Sequence, residues 1–275
     1  MSDIMMDNET TKAKKTGQVF AFWSPQTGCG SSFVLYNFAK SLALSGKKVL
    51  ILDYNLREPN LTKDLATNDT LHYLDNLLPS AEVGNISSEV FNSYIQDVKE
   101  IPNLHFIADN NSVEQALDIQ VTGLENIINK AKNDYDYVLI DTNAYIDNAG
   151  TYIALYLADK IYTIVEKKIG VFRSYDYCKS LIEPMKDKMV FVINKVDKAI
   201  YLSTSEVEKY FEIDKSYELI NLGFEYLNAE NTGRGEQFIN DSKKGRIFKE
   251  DINSLIKNTI NVDTSNGKKK GLFGK

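Results

Sequence analysis

Short, unbroken apolar runs alternate along this chain with longer stretches in which apolar residues return every three or four positions. The short runs are 19–23, 49–52, 104–107, 137–140, 161–165 and 190–193. None alternates apolar with polar residues, so each reads as a strand buried on both faces. The helical pattern covers 32–44, 124–132, 148–157 and 171–185. Strand and helix in turn predict an α/β fold, a doubly wound and mostly parallel sheet flanked by helices. Ligands of such a sheet sit at the carboxyl ends of its strands.

Residues 62–102 are less regular, and 71–78 and 90–98 read as two short helices over the sheet edge. Ile252, Leu255, Ile256 and Ile260 predict a terminal helix over 248–260. The expected organisation is a flexible lead over 1–17, one domain over 18–260 and a basic tail over 261–275. A net charge of −6 speaks against a dedicated nucleic-acid binder, although it leaves room for a local basic patch. Cys29 and Cys178 show no paired spacing, which fits a reducing cytoplasm. No apolar run approaches the roughly 18 residues of a membrane span. The N-terminus reads as polar, without a signal-peptide core.

The chemistry concentrates between the first strand and the first helix, in Ser24-Pro25-Gln26-Thr27-Gly28-Cys29-Gly30-Ser31-Ser32. A strand, a glycine loop and a helix start make an anion cradle, because backbone N–H groups and the helix dipole both favour negative charge. Asp53 and Asp141 each follow an apolar run, where two carboxylates beside a glycine loop suggest a metal ion rather than helix caps. Cys29 stands near a helix start, which lowers a thiol's pKa, but a small filler explains it better than a redox centre. His72 and His105 are isolated and give no metal spacing.

Four motifs occur in order: the loop 24–32; Ser45-Gly46-Lys47-Lys48 running through Asp53-Tyr54-Asn55 to Leu61; Tyr135-Asp136 running through Asp141-Thr142; and Phe191-Val192-Ile193-Asn194-Lys195-Val196-Asp197. Together they resemble the ParA/MinD family of deviant-Walker P-loop ATPases. The resemblance implies a homodimer that binds ATP and Mg2+. It assigns Gln26, Thr27, Gly28, Cys29, Gly30, Ser31 and Ser32 to the phosphates, Asn194 to the base, and Ser32, Asp53 and Asp141 to the metal. The string Asn194-Lys195-Val196-Asp197 also matches the N-K-x-D pattern of many GTPases, so GTP stands as the lesser alternative.

This chain departs from the family at three positions. The signature lysine that crosses the family's dimer interface is Gln26, and the phosphate lysine is Ser31. The second carboxylate of D-x-D, which positions the attacking water, is Asn55. Losing one such group often costs about 10²–10³ in rate, so the resemblance implies weak or lost hydrolysis with binding retained. Lys47, Lys48 and Arg57 are candidates for a replacement cation. The degenerate loop is similar to that of the TadZ/CpaE branch, which places pilus and secretion machinery. That branch implies a localisation or assembly factor with a protein partner.

Two further readings stand beside it. One is an active partition ATPase that binds DNA through Lys243, Lys244, Arg246 and Lys249; the other is a scaffold without nucleotide. The tail residues Lys268, Lys269, Lys270, Leu272 and Phe273 resemble the start of a MinD membrane-targeting helix. They read equally well as a peripheral membrane contact or as a solvated tail.

Overall fold

The computed structural model describes residues 16–59, 61, 65, 72–84, 86–109 and 119–260. In chain order the elements are β1 (Gln18–Trp23), α1 (Ser31–Leu44), β2 (Val49–Tyr54), α2 (Leu74–Glu82), α3 (Ser88–Ser93), β3 (Ile95–Asp97) and β4 (Leu104–Ile107). Next come α4 (Val121–Ala131), β5 (Tyr137–Thr142), α5 (Ala149–Leu157), β6 (Lys160–Val165), α6 (Ile169–Ile182), a 3-10 turn (Glu183–Lys188) and β7 (Met189–Val196). The chain continues through α7 (Thr204–Phe211), β8 (Ser216–Ile220), α8 (Gly223–Asn231), α9 (Gly235–Asp241) and α10 (Lys243–Thr259).

The strands form one sheet in the order β3-β4-β2-β5-β1-β6-β7-β8. Every neighbouring pair is parallel except β3 with β4. All residues of β2 and β5 are buried, which is why their sequences run apolar without alternation. Helix α1 covers the centre. Its Phe38 ring lies 5.3 Å from Phe22 and 4.8 Å from Tyr162, measured between centroids. Burying an aromatic side chain of this kind contributes about 1.5–3 kcal/mol, and α1 is thereby fixed beneath the loop that precedes it.

The expected doubly wound, mostly parallel sheet is what the chain forms. Residues 90–98, however, are not one helix. Helix α3 stops at Ser93, and Ile95–Asp97 pairs antiparallel with β4 as an edge strand. Over so few residues, apolar spacing does not separate a helix from a half-buried strand. The other expected short helix is displaced from 71–78 to Leu74–Glu82. Strand β8 and helices α7, α8 and α9 add to the elements that the apolar pattern predicts. A readable signal existed for α7, whose Ser203 and Glu206 form a capping box. Helix α10 starts at Lys243, earlier than 248, because Ser242 caps it and accepts from the Gly245 N–H. Its polar first turn hides the helical period.

Candidate functional site

The loop leaves β1 at its carboxyl end and turns on two left-handed glycines, Gly28 (φ 84°) and Gly30 (φ 91°). Before them, Ser24 folds back on the chain: its hydroxyl donates to Gln26 O at 2.8 Å and accepts from Gln26 N at 3.3 Å. A Cβ on Gly30 would meet Asn194 Nδ2 at 2.7 Å, so the backbone passes closer to β7 than any side chain permits. From β7, the Asn194 amide donates to Cys29 O at 2.8 Å and the Lys195 ammonium donates to Gly28 O at 2.6 Å. Cys29 is buried, and burial pushes its thiol above the ordinary range while a hydrogen bond from Ser24 pulls it back. That describes a packed filler rather than a reactive thiolate.

Ser32 lies in the first turn of α1 and donates to Asp141 Oδ2 at 2.6 Å. Asp141 and Asp53 pair in register on neighbouring β5 and β2. Both carboxylates are buried, and Asp53 Oδ2 and Asp141 Oδ1 find no hydrogen-bond partner among the described residues. Burial, then the neighbouring Asp141, push the Asp53 carboxyl well above the usual carboxylate range. Burial lifts Asp141 to about 7, against the hydrogen bonds from Ser32 and the Thr142 N–H. Two orphaned oxygens beside a hydroxyl are a donor set that fits a hard divalent cation. Among the described residues no cluster of three or more His, Cys, Asp and Glu could cage a metal. A set of two carboxylates and a hydroxyl suits Mg2+, which is bound through few protein groups together with water and phosphate oxygens.

Asn55 stands next to this pair but is engaged elsewhere. Its amide donates to Glu58 O at 2.8 Å, and its oxygen accepts from Asn143 Nδ2 at 2.9 Å. Gln26, Thr27, Gly28, Gly30, Ser31 and Ser32 line a cavity of about 220 Å³, with Asn55 on its far wall. Gly30 also borders a second cavity of about 890 Å³, lined by Asn194, Asp197, Phe33, Phe224 and Tyr226. A small polar chamber and a larger, aromatic one thus share Gly30 in their walls, an arrangement suited to phosphates on one side and a flat base on the other. Another cavity, about 950 Å³, lies at the amino ends of the strands, opposite the loop, and includes Lys132 and Thr259. Lys132 there caps the carboxyl end of α4, where the helix dipole favours a cation.

The sequence candidates for a replacement cation are not at the loop. Arg57 pairs with Asp147, Lys48 sits 4.5 Å over the Tyr135 ring, and Lys47 precedes β2 at its amino end. Lys47 and Lys48 both precede β2 and so lie one strand length from the loop, whereas Arg57 follows β2 on the loop's side and is held by Asp147. Among the described residues, the cations that reach the loop region are Lys195 and Lys168, both paired with Glu166, at 2.8 and 2.5 Å. In the sequence Lys195 stands out only as part of the Asn194-Lys195-Val196-Asp197 pattern. The basic patch on α10 is offset at one position, where Lys244 pairs with Glu225; Lys249 keeps its charge and donates to the neutral Asn240. The basic tail lies outside the described residues, among which no helix is long and apolar enough to cross a membrane.

Comparison with known proteins bears on the family and the fold. The family model of the AAA domain, AAA_31, matches residues 17–189. The septum site-determining protein MinD of Helicobacter pylori is 28% identical over 171 residues, 62% of this chain and 60% of that protein. The chain thus spans less than two thirds of the curated relatives it matches. A ParA family ATPase from Chlorobium tepidum superposes with a TM-score of 0.74 at 19% identity, over 88% of this chain and 98% of that one. MinD from Pyrococcus horikoshii, solved with Mg-ADP, superposes with a TM-score of 0.69 at 16% identity, over 90% of this chain and 100% of that one. With the glycine loop on β1, the paired carboxylates on β2 and β5 and the matched sequence span all in agreement, the chain belongs to the AAA_31 family of ParA/MinD-type P-loop ATPases.

Proposed function

We propose that this protein is a nucleotide-holding switch that binds ATP with Mg2+ and hydrolyses it slowly or not at all. The observation that carries this reading is the pair of orphaned oxygens on Asp53 and Asp141 beside Ser32, set against an Asn55 that is neutral and already bonded on both sides. The backbone from Gln26 to Ser32 would receive the phosphates, Asn194 would border the base, and Ser32, Asp53 and Asp141 would hold the metal. When bound, Mg2+ supplies charge neutralisation at phosphate oxygens. The chain itself supplies backbone donors and exclusion of bulk water. Ser31 offers a hydroxyl where a cation is missing, and Asn55 has no carboxylate to orient a water.

Gln26 bears on the dimer. A Cβ on Gly170 would lie 3.3 Å from Gln26 Oε1, so this amide rests against the first turn of its own α6. An uncharged amide can still bridge to a partner's phosphate, but without a lysine's charge. The biological role that follows is a dimeric positioning or assembly factor, such as one that places pilus or secretion machinery, with nucleotide occupancy setting its affinity for a protein partner. Equilibrium titration of fluorescent ATP and GTP, with Mg2+ and with chelator, tests the reading. Mg2+-dependent ATP binding with little phosphate release is expected. Fast turnover abolished by Asp53→Ala would overturn it, and no binding of either nucleotide would leave a scaffold.

A partition ATPase that binds DNA is the second reading. Lys243 and Arg246 on the first turn of α10 favour it, since they have no ion pair among the described residues. DNA affinity that falls steeply between low and moderate salt would support that reading, because released counterions drive phosphate contacts. Salt-insensitive or absent binding excludes it.

A further inference from the structure

The loop has its glycine turns without either lysine of its family pattern, and its back face shows what holds it. Asn194 and Lys195 are consecutive, yet both donate to the loop, to Cys29 O and Gly28 O respectively. In a regular strand, successive side chains point to opposite faces. Here the register between β7 and β8 shifts between Ile193 and Val196, and Lys195 takes a left-handed φ of 55°. That conformation is unfavourable for a residue with a Cβ and persists where the surroundings over-determine it. The irregularity brings two neighbouring side chains to the same target.

A trans peptide sets each C=O opposite the next N–H. Carbonyls of Gly28 and Cys29 that are held toward β7 therefore turn the N–H groups of Cys29 and Gly30 away from it, the orientation an anion needs. An ammonium on a carbonyl also polarises that peptide and strengthens its N–H as a donor. Behind Lys195 stands Glu166, only 5% exposed, which pairs with Lys195 at 2.8 Å and Lys168 at 2.5 Å. Two ammonium groups on one carboxylate leave net positive charge behind the loop.

We propose that Lys195, seated by Glu166, is a positioning residue that holds the phosphate cradle in shape from behind and takes over the loop-ordering part of the work of the lysines replaced by Gln26 and Ser31. Its effect on nucleotide affinity rests on the function proposed above, whereas its effect on the loop does not. A plain strand-end ion pair at the 42% exposed Lys195 side chain would contribute little and would leave the loop amides unaffected.

Amide hydrogen exchange of the free full-length protein decides between them, alongside titration with fluorescent ATP and Mg2+. Lys195→Met is expected to speed exchange at Cys29 and Gly30 by about tenfold or more, the size of a lost charge-assisted hydrogen bond. The global unfolding midpoint should stay near wild type. Nucleotide affinity should fall by a similar factor, and Lys195→Arg should recover part of both effects. Should Lys195→Met fail to fold, Glu166→Gln keeps side-chain size and carries the same test. Unchanged loop exchange in the folded variant overturns the proposal. If wild type binds no nucleotide, the proposed function falls, while the exchange result still decides the role of Lys195.

Discussion

Asp53 and Asp141 face each other in register on adjacent parallel strands, and each ends in a buried oxygen with no partner among the described residues. Like charges so placed repel, and both groups resist ionising. Asp141 is held near 7 by burial, and Asp53 is also raised by burial and by its neighbour. Between the ordinary carboxylate value of about 4 and about 7, the native state binds more protons than the unfolded one. Stability of the metal-free protein from this pair therefore falls as pH rises through that window. Asp141→Asn, measured in chelator, is expected to melt above wild type at pH 8, with the gap closing toward pH 5. Equal gaps at both pH values would contradict the placement of the pair.

Added Mg2+ and ATP should reverse that order. Wild type gains stability from ligand, whereas Asp53→Asn and Asp141→Asn lose a metal ligand and gain little. A thermal shift that is the same in wild type and both variants would show that the metal binds elsewhere.

Restoring the family's charges should restore chemistry. Ser31→Lys, Gln26→Lys and Asn55→Asp combined are expected to raise phosphate release at least about tenfold over wild type, since single electrostatic groups at such sites often carry more than that. Steady-state phosphate release measures it. No gain would place the block in geometry rather than in missing charge.

Gly30 borders both cavities and has no room for a side chain. Gly30→Ala puts a Cβ 2.7 Å from Asn194 Nδ2 at a φ of 91°. A loss of about 1–3 kcal/mol of stability and of nucleotide binding is expected, both readable by denaturant titration and ligand titration.

Core and surface aromatics should respond differently. Phe38→Ala removes a ring packed on Phe22 and Tyr162 and should cost about 3–5 kcal/mol. Tyr177→Ser, at a side chain 92% exposed on α6, should stay within about 0.5 kcal/mol. Chemical denaturation of the two variants makes the comparison.

The central strands were legible because burial on both faces leaves an unmistakable apolar run, as in Val49-Leu50-Ile51-Leu52. Edge strands were not. Ile95–Asp97 is three residues long and half solvated, and Ser216–Ile220 carries Glu218 on its open side, so neither shows a run. The site divides in the same way. The glycines and carboxylates follow strands and could be read locally. The bonds of Lys195 depend on a register shift in β7, which no local spacing encodes; the distance of Lys47 and Lys48 from the loop follows from strand direction, and the engagement of Arg57 by Asp147 follows from a contact between segments far apart in sequence.

Ser32, Asp53 and Asp141 come from three separate segments that meet only when β1, β5 and β2 lie side by side. A ligand bound there is bound by the folded chain alone, so it stabilises that chain by mass action. The gain is about 2.7 kcal/mol when free ligand exceeds the dissociation constant a hundredfold. A protein that never cleaves its nucleotide would then still register the supply of it, through how long each copy survives folded. Its abundance, and not a catalytic cycle, would carry the signal.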